Sequence, residues 1–286
     1  HLLKIINMPD GGLNLDIVVN NYLITPIQFN SLMLKLLINA IIPMNKLKIF
    51  HFDIKSSNIL YKNKNVKIID FGEIGISRKN NIIPNILFNR AIQFNSPFSR
   101  ILFTDFIQNY ITRLFTRYSI KSNTDNQKKI KIMRQAYGEY VKTFGQGHEI
   151  FLQEFLLPYI FKLIPKNLLI KIWNISLTSQ INYESILKDW IVNYCSIVII
   201  NYFNYKTMTL DKEKYFKEVY SKNVDIYGFI TCYIPFIMTQ NKNYSENFKL
   251  KISNILIKYC FNSEYAVKPI PINKLINDFK EINKIM

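Results

Sequence analysis

Two short apolar runs separated by a polar turn constrain this chain more than any other feature. From Asn58 to Asp70 it reads NILYKNKNVKIID: Ile59 and Leu60 begin a strand, Lys62–Asn65 supplies a turn, and Val66–Ile69 returns apolar, a pattern that closes as a β-hairpin. A hairpin brings its ends together, so Asn58 and Asp70 are expected at one edge. His51, Asp53 and Lys55 stand just upstream, and Phe71 and Gly72 follow Asp70 directly.

These residue types suit phosphoryl transfer, where catalysis is mostly positioning and charge neutralisation. Asp70 and Asn58 offer the hard oxygen donors that Mg2+ prefers. Asp53 can orient an acceptor hydroxyl and take its proton, and Lys55 can set a cation against a γ-phosphate. Taken singly, an Asp-x-Lys pair or a DFG triplet is usually a solvated turn. The combination, in order and beside a hairpin, carries the reading.

HFDIKSSN followed by DFG resembles the catalytic loop and magnesium loop of eukaryotic protein kinases, H-R-D-x-K-x-x-N and D-F-G. The resemblance implies ATP and Mg2+ as cofactors, Asp53 and Lys55 as catalytic residues, and Asn58 and Asp70 as metal ligands. It also implies structural roles for His51, Phe71 and Gly72. A lysine at position 55 goes with transfer to serine or threonine of a protein substrate. The implied fold is mainly α with a small β-hairpin, a protein-kinase-like C-terminal lobe carrying a helical insertion.

Other landmarks follow in order. HLLKIINMPDGGLNLD at 1–16 resembles the last small-lobe strand and hinge, turning at Gly11 and Gly12; Met8 and Leu60 are then the residues expected against adenine. Gln28–Phe50 carries apolar residues at helical spacing, among them Phe29, Met33, Leu36, Leu37 and Ile41. NVDIYGFITCYIPFIM at 223–238 resembles the central buried helix of the large lobe, with Asp225 matching the aspartate that holds the catalytic-loop backbone. The expected organisation is 1–15 strand and hinge, 16–103 first part of the large lobe, 104–212 helical insertion, and 213–286 second part. The insertion is inferred because Ser99 and Asp225 lie much further apart than kinases place the equivalent landmarks. Helical patterns run through it at Glu149–Leu163 and Lys188–Phe203.

The departures are specific. Phe52 replaces the H-R-D arginine, SPF at 96–98 stands where A-P-E is usual, Lys268 takes the place of a late arginine, and Ile230 occupies a position where glycine is common. No Gly-rich phosphate loop, strand lysine or C-helix glutamate precedes the hinge. The sequence therefore reads as a large lobe whose small lobe must be supplied in cis, and which is inactive without it. Two other classes share parts of the pattern. Aminoglycoside- and choline-type small-molecule kinases carry H-x-D-x-x-x-x-N and IDFG, and Lys55, the Gly-Gly turn and DIYGF argue against them. A pseudokinase scaffold is the non-enzymatic alternative.

A formal charge of +17 admits a nucleic-acid or anionic-surface partner, centred on Lys128, Lys129, Lys131 and Arg134. Only six of the 37 basic residues are arginine, and Ile, Asn, Tyr and Phe abound, so AT-rich coding accounts for much of the lysine. Cys195, Cys232 and Cys260 are odd in number and set in apolar runs, which points to a reducing, cytoplasmic-type compartment. No transmembrane span is read: 226–239 is too short, and 190–205 contains three asparagines.

Overall fold

The computed structural model describes residues 10–88, 91–164 and 181–284, so Met8 and the strand expected before Asp10 lie outside the described residues. The structure is 64% helix and 8% strand, which makes it mainly α with small sheets.

Five short strands bracket the motif. Strand β1 (Leu13–Asn14), β3 (Ile59–Lys62) and β4 (Asn65–Ile68) form an antiparallel sheet in the order β1-β3-β4, while β2 (Ile49–Phe50) pairs antiparallel with β5 (Gly75–Ile76). Asn63 and Lys64 turn the hairpin with φ of 51° and 58°; two successive left-handed residues match the twist of the flanking strands. The ladder runs from Lys62–Asn65 to Ile59–Ile68, and one rung further Ile69 N donates to Asn58 O at 2.9 Å.

Helix α1 (Leu15–Asn20) starts at Asn14, whose Oδ1 accepts from Ile17 N at 3.0 Å. Helix α2 (Pro26–Leu36) opens on a Thr25–Gln28 capping box with proline in its first turn. It does not run helically to Phe50. It widens into a π turn at Leu37–Ile41, continues as α3 (Ile42–Lys46), and gives way through Lys48, at φ 60°, to strand β2. Pro43 has no N–H to offer the preceding turn, which accompanies the wider geometry. Pro26–Lys46 is long and apolar enough, by length and composition, to cross a membrane; it is the one such helix among the described residues. A core helix passes the same test, and here Phe29, Met33, Leu37 and Ile41 are buried in the core.

Among the described residues the segment after Phe103 is mostly helical: α4 (Asp105–Arg117), α5 (Asn126–Phe144), a π turn at Phe151–Leu156 leading into α6 (Leu157–Leu163), and the helix Tyr183–Tyr202, followed by a two-stranded ladder of Phe203–Asn204 with Thr209–Leu210. Helix α5 packs on α4 and on Tyr183–Tyr202, which also packs on the turn Phe98–Phe103. Apolar side chains from this segment and from both flanking parts form one continuous core. The helix expected over 223–238 is two helices, Ser221–Thr231 and Ile234–Met238, interrupted before Pro235. Its close approach to the backbone of the loop His51–Asn58 occurs at Gly228, where a Cβ would stand 2.6 Å from Ile54 O; the glycine missing at Ile230 is therefore not needed for that contact.

Candidate functional site

The loop His51–Asn58 is fixed from beneath by one carboxylate. Asp225, 1% exposed, accepts His51 N and Phe52 N at 2.9 Å each, one on either oxygen. With its amide nitrogen turned inward, Asn45 adds a donor to Asp225 Oδ2 at 2.7 Å. Burial pushes the Asp225 carboxyl up to about 6 against the opposing pull of the two backbone N–H groups. Phe52 sits at φ 61°, and this two-point anchorage holds the unusual backbone in place.

His51 is fully buried and bridges the loop to the hairpin. Its Nε2 lies 3.0 Å from Ile69 O, and its Nδ1 accepts Asp53 N at 3.3 Å, an arrangement satisfied by the neutral ring protonated on Nε2. Burial lowers its pKa, while the carboxylates of both Asp53 and Asp70 act to raise it, which puts both within electrostatic reach of one imidazole. The Phe71 ring lies 5.0 Å from the His51 ring.

Asp53 is 6% exposed, and both carboxylate oxygens have donors. Lys55 Nζ donates to Oδ2 at 2.8 Å and Asn58 Nδ2 at 3.0 Å, while Asn95 Nδ2 donates to Oδ1 at 2.8 Å. Burial works to raise this pKa, but the hydrogen bonds from Lys55, Asn95 and Asn58, with the Lys55 charge, hold it below the ordinary carboxylate value. Asn58 Nδ2 also donates to Asp53 O at 3.0 Å, so the atom of that amide left for a metal is Oδ1.

Asp70 differs in every respect. It lies two residues beyond β4 and one past the Ile69–Asn58 hydrogen bond, so the register brings it to the same end of the hairpin as Asn58. It is exposed, with φ 62° and ψ 64°, and no described residue donates a hydrogen bond to it. Phe71 and Gly72, also exposed, form the short turn that follows. Among the described residues no group of three or more His, Cys, Asp or Glu side chains gathers, so they offer no all-protein metal cage. One carboxylate and one amide oxygen fit Mg2+, which takes few protein ligands and completes its shell with water and phosphate. Leu60 faces the Gly-Gly turn, its Cδ1 within 2.4 Å of where a Cβ on Gly11 would stand.

Three site residues escaped the sequence reading. Asn95, 1% exposed, holds Asp53 and also donates to Ile54 O at 3.2 Å. Arg100, 2% exposed, donates to Gln93 Oε1 at 2.9 Å, Ile86 O at 3.4 Å and Phe52 O at 3.5 Å, with no carboxylate within ion-pair distance among the described residues. This is the buried cation of the region. Lys268, in the late arginine's place, instead forms an exposed pair with Glu264 at 3.6 Å. His148, from the helical segment after Phe103, accepts Phe94 N on Nδ1 at 3.4 Å, and burial and the Lys55 charge lower its pKa. Gly147 makes that approach possible: at φ 56°, a Cβ there would fall 2.4 Å from Ile92 O, and His148 N donates to the same carbonyl at 2.9 Å.

Beside Lys55 opens a cavity of about 580 Å³. Phe94, Phe151, Ile234, Pro235 and Met238 give it apolar walls, with Asp16, Ser56 and His148 at polar positions. Ser56 Oγ donates to Asp16 Oδ1 at 2.7 Å, fixing the loop to α1. No family model, curated protein or solved structure matches this chain.

Proposed function

We propose that this chain is the large lobe of a divergent serine/threonine protein kinase, transferring the γ-phosphoryl group of ATP to a hydroxyl of a protein substrate. The observation that carries the reading is the hairpin register. It sets Asn58 and Asp70 at one end while the Asn58 amide is bonded to Asp53, so a candidate base and two candidate ligands share one short piece of backbone.

Asp53 orients the acceptor hydroxyl through lone pairs that Lys55, Asn58 and Asn95 leave open. Its lowered pKa makes it a weak base in the ground state. Orientation is then its main work, and proton removal follows as the acceptor oxygen bonds to phosphorus, as suits a loose transition state. Lys55 offers its cation where charge builds on the transferred group. Asp70 and Asn58 Oδ1 would hold Mg2+, which when bound neutralises charge on the phosphate oxygens. The apolar cavity beside Lys55 suits side chains of a polypeptide acceptor better than a polycationic aminoglycoside. The exposed apolar side chains Ile69, Phe71 and Ile74 around Asp70 mark the surface that a nucleotide-binding lobe would cover.

The test uses protein expressed from the complete reading frame, given labelled ATP, a serine/threonine peptide mixture, aminoglycosides and choline. Label is expected on peptides, abolished by Asp53→Asn and by Asp70→Ala, with Lys55→Ala lowering turnover more than ATP affinity. Label confined to the small molecules would overturn the acceptor class, and activity surviving either aspartate change in folded protein would overturn the site.

A further inference from the structure

A second cavity, of about 510 Å³, opens beside the β2–β5 ladder and is lined by Lys48, Arg78, Lys79 and Lys217, with Ser77 and Ser221. No carboxylate lines it. The lysine-rich composition does not account for this. The cavity lined by Lys251, Lys258 and Lys284 also contains Asp278 and Glu281, and Lys258 pairs with Asp278 there and Lys284 with Glu281. In the cationic cavity only Lys217 has an acidic partner, Glu213 at 3.7 Å in an exposed pair, and among the described residues Lys48, Arg78 and Lys79 have none.

The charges stand on a fixed frame. The β2–β5 ladder pairs Ile49 with Ile76, Ser77 N donates to Lys48 O at 3.0 Å, and Arg78 and Asn81 exchange backbone hydrogen bonds of 2.9 and 3.1 Å. Lys217 and Ser221 are four residues apart on a helical stretch and so share a face. Phe50 and Phe216, both buried, meet edge to face at 5.8 Å and join the two walls.

Four cations crowded around one opening repel each other and favour a compact ligand of high negative charge. A phosphate monoester carries close to two charges and three acceptor oxygens, and Arg78 supplies a planar fork suited to it. The cavity is far larger than a bare phosphate, and its walls include Phe50, Ile82 and Phe216, which suit the carbon of an attached side chain. We propose that this cavity binds a phosphoserine or phosphothreonine side chain of a partner protein. The inference stands apart from phosphoryl transfer.

Fluorescence anisotropy on the full chain tests it, with a short labelled alanine–glycine peptide carrying one central phosphoserine. The unphosphorylated peptide, inorganic phosphate and a single-stranded oligonucleotide serve as comparisons. The phosphopeptide is expected to bind at least about tenfold more tightly than its unphosphorylated form. Arg78→Gln and Lys217→Gln should each weaken it about threefold or more, and the double variant should erase the difference. Lys251→Gln, in the neutralised cavity, should change nothing, and unaltered melting of every variant would exclude misfolding. Equal binding of both peptides overturns the proposal. So does inorganic phosphate competing as well as the phosphopeptide, which marks a free-anion site, or tighter oligonucleotide binding lost in the same variants, which marks a nucleic-acid surface.

Discussion

The loop His51–Asn58 and the turn Ile69–Glu73 carry the two carboxylates of the candidate site under opposite physical conditions. Asp53 is buried, receives three side-chain donors, and belongs to a loop whose backbone is bonded to Asp225. Asp70 is exposed, lies in the left-handed region and receives no hydrogen bond from a described residue. Within the proposed mechanism, the acceptor side is preorganised by the chain itself, whereas the nucleotide side is shaped by what binds there. Preorganised groups are costly to disturb; groups awaiting a ligand are cheap to remove until the ligand is needed.

The largest effect expected from this contrast is on Asp225. Asp225→Ala leaves the buried His51 and Phe52 N–H groups unpaired, at roughly 1–3 kcal/mol each, so urea unfolding should show a loss of about 3 kcal/mol or more. A loss below about 1 kcal/mol would mean that the loop holds itself.

A smaller and pH-dependent effect is expected at Asp53. Its folded pKa lies below the ordinary 3.8, so its contribution to stability is fully present above about pH 4 and is shed as pH falls through the lowered value. Melting temperatures of wild type and Asp53→Asn should differ by a constant amount from pH 7 to 5 and converge below about pH 4. A gap that persists unchanged at lower pH would show that the cage acts by shape and not by charge.

The smallest stability change is expected at Asp70. Asp70→Ala should stay within about 0.5 kcal/mol of wild type in urea, while Mg2+-dependent transfer by the complete protein disappears. A large loss of stability would place Asp70 in the folded framework and collapse the contrast.

How much of this was legible in the sequence depended on whether the cause was local. The hairpin could be read because strand period and turn chemistry lie within a dozen residues, and its register follows from them. Helix α2–α3 was overextended because Ile49 and Phe50 continue the apolar spacing, while the left-handed Lys48 that ends the helical run leaves no mark in periodicity. Asn95, Arg100 and His148 could not be found this way. Each acts across more than forty residues of sequence, through a side chain whose type is ordinary for a loop or surface. A buried arginine whose partners are two carbonyls and an amide has no sequence signature, and Phe52 in place of the H-R-D arginine showed only where that cation is absent.

The contact of Gly147 with Ile92 has a consequence for how this protein could be trimmed. The helical segment from α4 to Tyr202 reads as an insertion, and an insertion invites excision. Here, however, its loop is tied to the strip of chain that ends three residues later in Asn95: His148 N donates to Ile92 O at 2.9 Å, and the neighbouring Gly147 lies so close that a Cβ there would stand 2.4 Å from the same oxygen. A shortened version would lose the splint that keeps Asn95 against Asp53. The segment that looks most dispensable therefore helps to hold the loop beneath Asp53.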